Sequence, residues 1–196
     1  IGINNKINKN DFYTIEKYIL INSLLPHKLQ SICSRVGIRL IQLSSDCVFS
    51  GIKGNYSEKD LPDPLDIYGK SKLMGELESE NCLTIRKSVI GHELIKKEGL
   101  LDWFLSRNDK VEGYQKAIFS GLTVLELARI IDIFILPRTE LNGILHIAGF
   151  PISKYDLLNI ISSEYKKSIE LIPNHSLKVN RSLDSTYFNR LTGYQI

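Results

Sequence analysis

Tyr68 and Lys72 stand four residues apart in Tyr68-Gly69-Lys70-Ser71-Lys72, a spacing that places both on one helical face about one turn apart. An ammonium beside a phenol favours phenolate and draws the phenol pKa toward neutral pH. A phenol so tuned can hand a proton to a ketone oxygen as a general acid. By itself the pair is common, and a surface lysine beside a half-buried tyrosine fits it equally well. Its weight rises with the polar run Ser44-Ser45-Asp46, which directly follows the apolar stretch Ile38–Leu43. Hydroxyls there stand at the carboxyl edge of a strand, where open α/β sheets bind ligands. Such a hydroxyl can hold a carbonyl beside the tyrosine; the plainer alternative is a polar loop start or cap.

The elements that must position these groups follow from hydrophobic spacing. Ile1–Asp11 is polar and reads as a loop, whereas Phe12–Val36 repeats apolar residues at helical spacing. Pro26 kinks or restarts that helix, and Gly37 ends it. Ile38–Leu43 is a short buried strand, and Gly51–Asp66 is a long surface loop of the kind that is usually functional. A helix over Tyr68–Glu80 and a strand over Cys82–Val89 follow. Next come a helical segment around Leu100–Leu105, an extended Ala117–Phe119, a buried helix Thr123–Leu136 and a third strand Gly143–Ala148. Ser153 caps a helix to about Tyr165, with Asp156 completing a capping box. Ile169–Ile172 reads as a strand and Asp184–Leu191 as a helix. This alternation is that of an α/β protein.

The chain has 196 residues, 43% hydrophobic and 24% charged, enough for one good core or a core with a small lobe. Its net charge of +3 comes from cations scattered among anions, without the basic stripe that nucleic-acid binding needs. The mild positive balance suits an anionic substrate. Cys33, Cys47 and Cys82 are unclustered, which argues against a disulfide framework and against a structural metal. They read as small buried hydrophobes in a reducing, cytoplasmic setting. No apolar run reaches the ~18 residues of a membrane span.

The ordered set Leu43-Ser44-Ser45-Asp46-Cys47-Val48-Phe49-Ser50-Gly51, then Lys53-Gly54, Tyr56-Ser57-Glu58, Asp60 and Pro62, then Pro64-Leu65-Asp66-Ile67-Tyr68-Gly69-Lys70-Ser71-Lys72 and Gly75-Glu76 resembles the signature of dTDP-4-dehydrorhamnose reductases. Those are extended short-chain dehydrogenases that reduce the 4-keto group of a nucleotide-linked deoxysugar. Weaker likeness extends through Ile21-Asn22 with Pro26 and Leu29, through Leu83–Gly91 and Gly143–Gly149, and to Arg181–Leu183.

The resemblance implies an α/β fold: the C-terminal part of a Rossmann-like parallel sheet, with a small α+β substrate-binding lobe. Residues 1–91 would be the catalytic part of the nucleotide-binding domain and 92–196 mainly the lobe, with about 117–136 returning to the sheet domain. Tyr68 would be the acid, Lys72 its activator, Ser45 the third catalytic hydroxyl and Asn22 the support of a proton relay. Tyr68, Lys72 and Ser44 would meet the cofactor, NADP or NAD. Ser45, Cys47, Phe49 and Arg181 would meet a nucleotide-sugar substrate, and the likeness leaves a homodimer open. A nucleotide-sugar epimerase of the same superfamily is the near alternative; Asp46 alone does not supply the acidic pair of its dehydratases. A more distant alternative is the non-catalytic regulatory subunit of methionine adenosyltransferase, which shares the Ser-Ser-Asp-x-Val-Phe and Tyr-Gly-Lys signatures.

Two departures bear on substrate and cofactor. Arg86-Lys87-Ser88 runs into Val89-Ile90-Gly91-His92-Glu93, where members usually carry Arg-Thr-Ser and then an aromatic-Gly. This points to a nucleotide sugar other than dehydrorhamnose, from a surface-polysaccharide pathway. His92 and Glu93 either face that substrate or are simply solvated. Trp103 and Phe104 either stack on a base or anchor the lobe. The glycine-rich dinucleotide turn is not in this sequence, and Ile1-Gly2-Ile3 resembles the segment after the family's fourth strand. Roughly seventy residues of that domain are therefore expected upstream, and this chain alone should be inactive.

Overall fold

The computed structural model describes residues 12–95 and 97–195; the loop expected over Ile1–Asp11 and the likeness seen at Ile1-Gly2-Ile3 lie outside them. The chain opens with α1 (Phe12–Lys17), a π-helical stretch (Tyr18–Leu24) and α2 (Leu25–Arg35), followed by β1 (Leu40–Leu43), a 3-10 turn (Asp46–Val48) and α3 (Ile67–Met74). Next come β2 (Cys82–Lys87), β3 (Val89–Ile90), α4 (Leu100–Leu105), β4 (Val111–Tyr114), β5 (Ala117–Phe119) and β6 (Leu122–Thr123). The rest comprises α5 (Val124–Ile130) with a π-helical extension (Ile131–Ile135), β7 (Gly143–Ile147), β8 (Ile152–Ser153), α6 (Lys154–Glu164), β9 (Leu171–Asn174), β10 (Val179–Asn180) and α7 (Thr186–Thr192).

Pro26 does not break the first helix. It has no N–H to return to the preceding turn, and the helix widens ahead of it into π geometry, with the Leu25 N–H reaching the Leu20 carbonyl. The Asn22 carbonyl, which Pro26 cannot serve, faces Gly75 at the end of α3, where a Cβ would stand 1.8 Å from that oxygen. Gly37 closes the helix in the left-handed conformation, φ +69°.

β1, β2 and β7 form a parallel sheet in that order, with Leu43 opposite Ile85 and Ile85 opposite Leu145. Leu83, Ile85, Leu145 and Ile147 are buried in it against Ile130, Ile135 and Phe188, each such side chain contributing about 2 kcal/mol through burial. Gly143–Ile147 thus stands in the same sheet as β1 and β2. Arg39 ties the far end, donating to the carbonyls of Ile135 at 2.9 Å and Leu141 at 2.7 Å, so a helix end that cannot bond itself is satisfied by a side chain.

The helix expected over Tyr68–Glu80 stops at Met74. Beyond Gly75 the chain turns inward because Thr84 captures Leu77, accepting from its N–H at 3.0 Å and donating to its carbonyl at 2.9 Å. The long Gly51–Asp66 loop is pinned rather than merely superficial: Tyr56 is 3% exposed, stacks on Phe49 at 4.1 Å and bridges to Leu183.

A second cluster joins Leu101, Phe104, Val111, Leu158 and Ile161, with β4 pairing β9 in parallel. Phe104 is fully buried in it and Trp103 packs against it under Arg107, so both aromatics anchor this cluster rather than offering a face to a base. Ser153 caps α6 as its sequence indicates, accepting from the Asp156 N–H at 3.0 Å and donating to its carboxylate at 2.6 Å.

Candidate active site

Asp66 sets the start of α3, its carboxylate accepting the Gly69 N–H at 2.8 Å, which gives that helix an N-cap. The helix is then held from behind: Asn22 Nδ2 donates to Ser71 Oγ at 3.1 Å, Ser71 Oγ donates to the Tyr68 carbonyl at 2.8 Å, and Tyr18 meets the Tyr68 ring edge-on at 5.9 Å. Lys72 is 5% exposed and its ammonium donates to the Leu43 carbonyl at 2.7 Å, at the carboxyl end of β1. Asn22 therefore acts on the tyrosine through Ser71, at one remove.

Ser45 begins the turn after β1. Its Oγ accepts from the Cys47 N–H and donates to Asp46 Oδ1, both at 3.1 Å. It lies close enough to the Tyr68 phenol to act on its pKa, and both side chains line one cavity. A cavity of about 470 Å³ opens beside them, lined on one side by Ser45, Asp46, Cys47 and Tyr68 and on the other by His92, Glu93, Leu100, Phe119 and Val124.

Burial raises the Tyr68 pKa, reinforced by Cys47 and Asp46 and opposed by the hydrogen bond to Ser45. The depression expected from Lys72 does not dominate, because that ammonium is engaged with a carbonyl and the phenol sits in a desolvated wall. The phenol stays protonated at neutral pH, which is the form an acid needs. Burial also lowers Lys72 to about 8, with Lys87 pushing the same way and Glu76 opposing, and raises Cys47 to about 11, helped by Asp46.

Three of the residues expected at the site do not line this cavity. Ser44 is 1% exposed and donates to Glu76 Oε1 at 2.6 Å; successive strand residues point to opposite faces, so with Ser45 toward the cavity Ser44 turns into the core. Phe49 is fully buried between Tyr56, His146 and Arg86, which makes it core rather than pocket lining. Arg181 lies behind Cys47, donating to its sulfur at 3.4 Å, and does not line the cavity.

Under the site runs a buried polar chain that sequence reading did not find. Arg86 clasps Glu76 with two hydrogen bonds of 2.9 and 2.7 Å, and its third nitrogen lies 3.3 Å from His146 Nε2. His146 Nδ1 is 2.9 Å from the Tyr56 carbonyl. Also missed were Lys87 and Lys154, which line the cavity from β2 and the start of α6. Arg86-Lys87-Ser88 stood out as a departure from pattern, and that was the available signal. His92 and Glu93 do line the cavity, but the His92 ring is held between Asp102 at 2.6 Å and the Tyr165 hydroxyl at 2.9 Å. Among the described residues no group of three or more His, Cys, Asp or Glu is placed to hold a metal ion, and no helix is long and apolar enough to cross a membrane.

Residues 14–186 match the family model for the RmlD substrate binding domain. The chain is similar to methionine adenosyltransferase 2 subunit beta of Xenopus laevis, 44% identical over 57 residues, which is 29% of this chain and 17% of that protein. It is also similar to the spore coat polysaccharide biosynthesis protein SpsK of Bacillus subtilis, 39% identical over 85 residues, 40% of this chain and 30% of that one. The matched stretches thus span under a third of these relatives' lengths. Among solved structures, dTDP-4-dehydrorhamnose reductase of Bacillus anthracis in complex with NADP superposes with a TM-score of 0.81 at 21% identity, over 99% of this chain and 72% of that one. The fold is accordingly the Rossmann-like α/β fold that the motifs imply, and the chain belongs to the RmlD substrate-binding-domain family.

Proposed function

We propose that this chain supplies the acid and the sugar pocket of an NAD(P)-dependent reductase acting on a nucleotide-linked 4-keto-deoxysugar. The observation that carries the reading is the juxtaposition of Tyr68 and Ser45 on the wall of a cavity of about 470 Å³. Ser45 holds the ketone oxygen, and Tyr68, kept protonated by burial, passes its proton to that oxygen as the carbon is reduced. Lys72 lies one turn behind with an ammonium of three donors, one of them on Leu43, which suits it to the ribose hydroxyls of a nicotinamide nucleotide as well as to the phenol. When bound, that nucleotide supplies the hydride. The glycine-rich turn that would cradle its phosphates is not among these residues, so the reading concerns the whole protein that carries this chain. Residues 12–91 and about 117–147 belong in this reading to the nucleotide-binding domain, and the Leu101–Ile161 cluster to the substrate lobe. The likeness to SpsK supports a place in polysaccharide sugar biosynthesis.

The test is Tyr68→Phe in the full-length protein, followed by NAD(P)H absorbance with 4-keto sugar nucleotides. A loss of at least about 10²-fold in rate is expected; an unchanged rate would overturn the assignment. A second reading, a non-catalytic partner of a methionine adenosyltransferase, draws on the likeness to the beta subunit. A stable stoichiometric complex with such an enzyme, combined with no turnover of any sugar nucleotide, would favour it.

A further inference from the structure

Lys87 and Lys154 both open on the cavity, and both are cations in poor surroundings. Burial lowers the pKa of each, and in each case the main attraction that opposes this comes from Asp46. Among the described residues neither ammonium has a hydrogen bond or an ion pair; Lys154 has only the face of Phe119, 4.0 Å from the ring centroid. Asp46 itself accepts from Ser45. Among the described residues, the other charges around the cavity are Glu93 in its opposite wall and Lys72 behind Tyr68, which feels Lys87 as a like charge. Both lysines are half-buried; partly desolvated cations without a contacting anion are unfavourable, and a site that keeps two of them in one cavity is arranged for an anion from outside.

Their level in the fold says which part of a substrate that anion belongs to. Leu43 is opposite Ile85, and Ser44 N–H continues the ladder to the Ile85 carbonyl at 2.7 Å. Extending the register by two residues brings Lys87 level with Ser45 on the adjacent strand, about 5 Å away in the hydrogen-bonding direction. Lys87 therefore stands at the reacting end of the cavity, beside the hydroxyl that holds the ketone. Lys154 comes from a different part of the chain, the start of α6, and lines the same cavity.

We infer that Lys87 and Lys154 form a two-point subsite for a carboxylate carried on the sugar ring, so that the substrate is a nucleotide-linked keto sugar acid rather than a neutral deoxysugar. This rests on the reductase reading above and narrows its substrate class. Both ammoniums would approach one carboxylate from two sides, a charge-assisted arrangement that a hydroxymethyl or methyl group at the same position cannot use.

The experiment is equilibrium binding to the full-length protein loaded with oxidised nicotinamide nucleotide. Matched probes are a nucleoside diphosphate glucose and the corresponding glucuronate, in both the uridine and thymidine series, with each nucleoside diphosphate alone. The glucuronate is expected to bind at least tenfold tighter than the glucose in whichever series binds. Lys87→Met and Lys154→Met should each remove most of that preference while leaving the nucleoside diphosphate's own affinity within twofold, and Lys87→Arg should keep it. Removing a half-buried cation that holds no ion pair does not threaten the fold, and thermal melting checks that the variants are intact. Equal binding of glucose and glucuronate derivatives overturns the inference alone. So does a Lys87→Met variant that loses the free nucleoside diphosphate as strongly as the acid, since the pair would then serve the diphosphate. Failure of every sugar nucleotide to bind overturns the reductase reading itself.

Discussion

The carbonyl of Asn22 and the backbone of Gly75 touch so closely that a methyl group on Gly75 would lie 1.8 Å from the oxygen and 2.9 Å from its carbon. This contact presses the π-widened helix onto the end of α3, whose other face presents Tyr68 and Lys72. Gly75→Ala must push backbone away from backbone, so it should cost at least about 3 kcal/mol and displace Lys72. Urea denaturation would measure the loss; a variant as stable as the parent would show that the two helices are not held this way.

Glu76 and Arg86 are both under a tenth exposed as side chains, 5% and 3%, and are bridged at 2.7 Å. Removing one partner leaves the other charge buried, so Glu76→Ala should cost about 3–5 kcal/mol. The double variant Glu76→Leu with Arg86→Met should recover part of that loss. A double variant less stable than the sum of the singles would refute this account.

His146 is fully buried, and burial with the neighbouring Arg86 lowers its pKa to about 4. The folded protein therefore holds it neutral, while the unfolded chain takes up its proton near the ordinary value of about 6.5. Its contribution is fully present above about pH 6.5 and is lost as pH falls toward 4, on the order of 3 kcal/mol. Stability curves of the parent and of His146→Gln between pH 7 and pH 4 should converge as pH falls. Parallel curves would contradict the buried neutral ring.

Ser44 and Ser45 should part company on substitution. Ser45→Ala removes the hydroxyl beside Tyr68 in the cavity wall and should lower turnover on the order of 10²-fold with little change in stability. Ser44→Ala leaves a lone pair of the buried Glu76 without its donor and should cost about 1–3 kcal/mol while turnover is largely kept. Steady-state kinetics beside denaturation separates the two, and the reverse pattern would exchange their roles.

Lys72, lowered to about 8 by burial and by Lys87, loses its proton as pH rises through that value. If its ammonium serves the reaction, kcat should fall above about pH 8, and Lys72→Arg should move that limb beyond pH 10. A rate flat to pH 10 in the parent protein would remove Lys72 from the mechanism.

Local signals were plainly legible in the residues. The Tyr68–Lys72 spacing, the Ser153–Asp156 cap, the Gly37 terminus and the apolar runs of β1, β2 and β7 each depend on neighbours a few positions away, and sequence order carries those directly. The serine ambiguity is different in kind. Adjacent strand residues face opposite sides, and only the placement of Glu76 beneath β1 decided that Ser44 turns inward and Ser45 outward. Phe49 likewise could not be told from pocket lining until Tyr56 and Arg86 closed on both its faces.

Longer pairings were hidden for the same reason. β4 meets β9 through Val111 and Leu171, partners sixty positions apart with no periodicity to announce them. Lys87 and Lys154 are separated even more widely along the chain. The amino-acid sequence by itself determined the α/β class, the family signature and the helix that carries Tyr68 and Lys72, because those rest on short-range spacing and composition. Tertiary structure alone decided which hydroxyl faces the cavity and brought into it two cations that hold no ion pair among the described residues, since burial and charge proximity depend on distance in space and not along the chain.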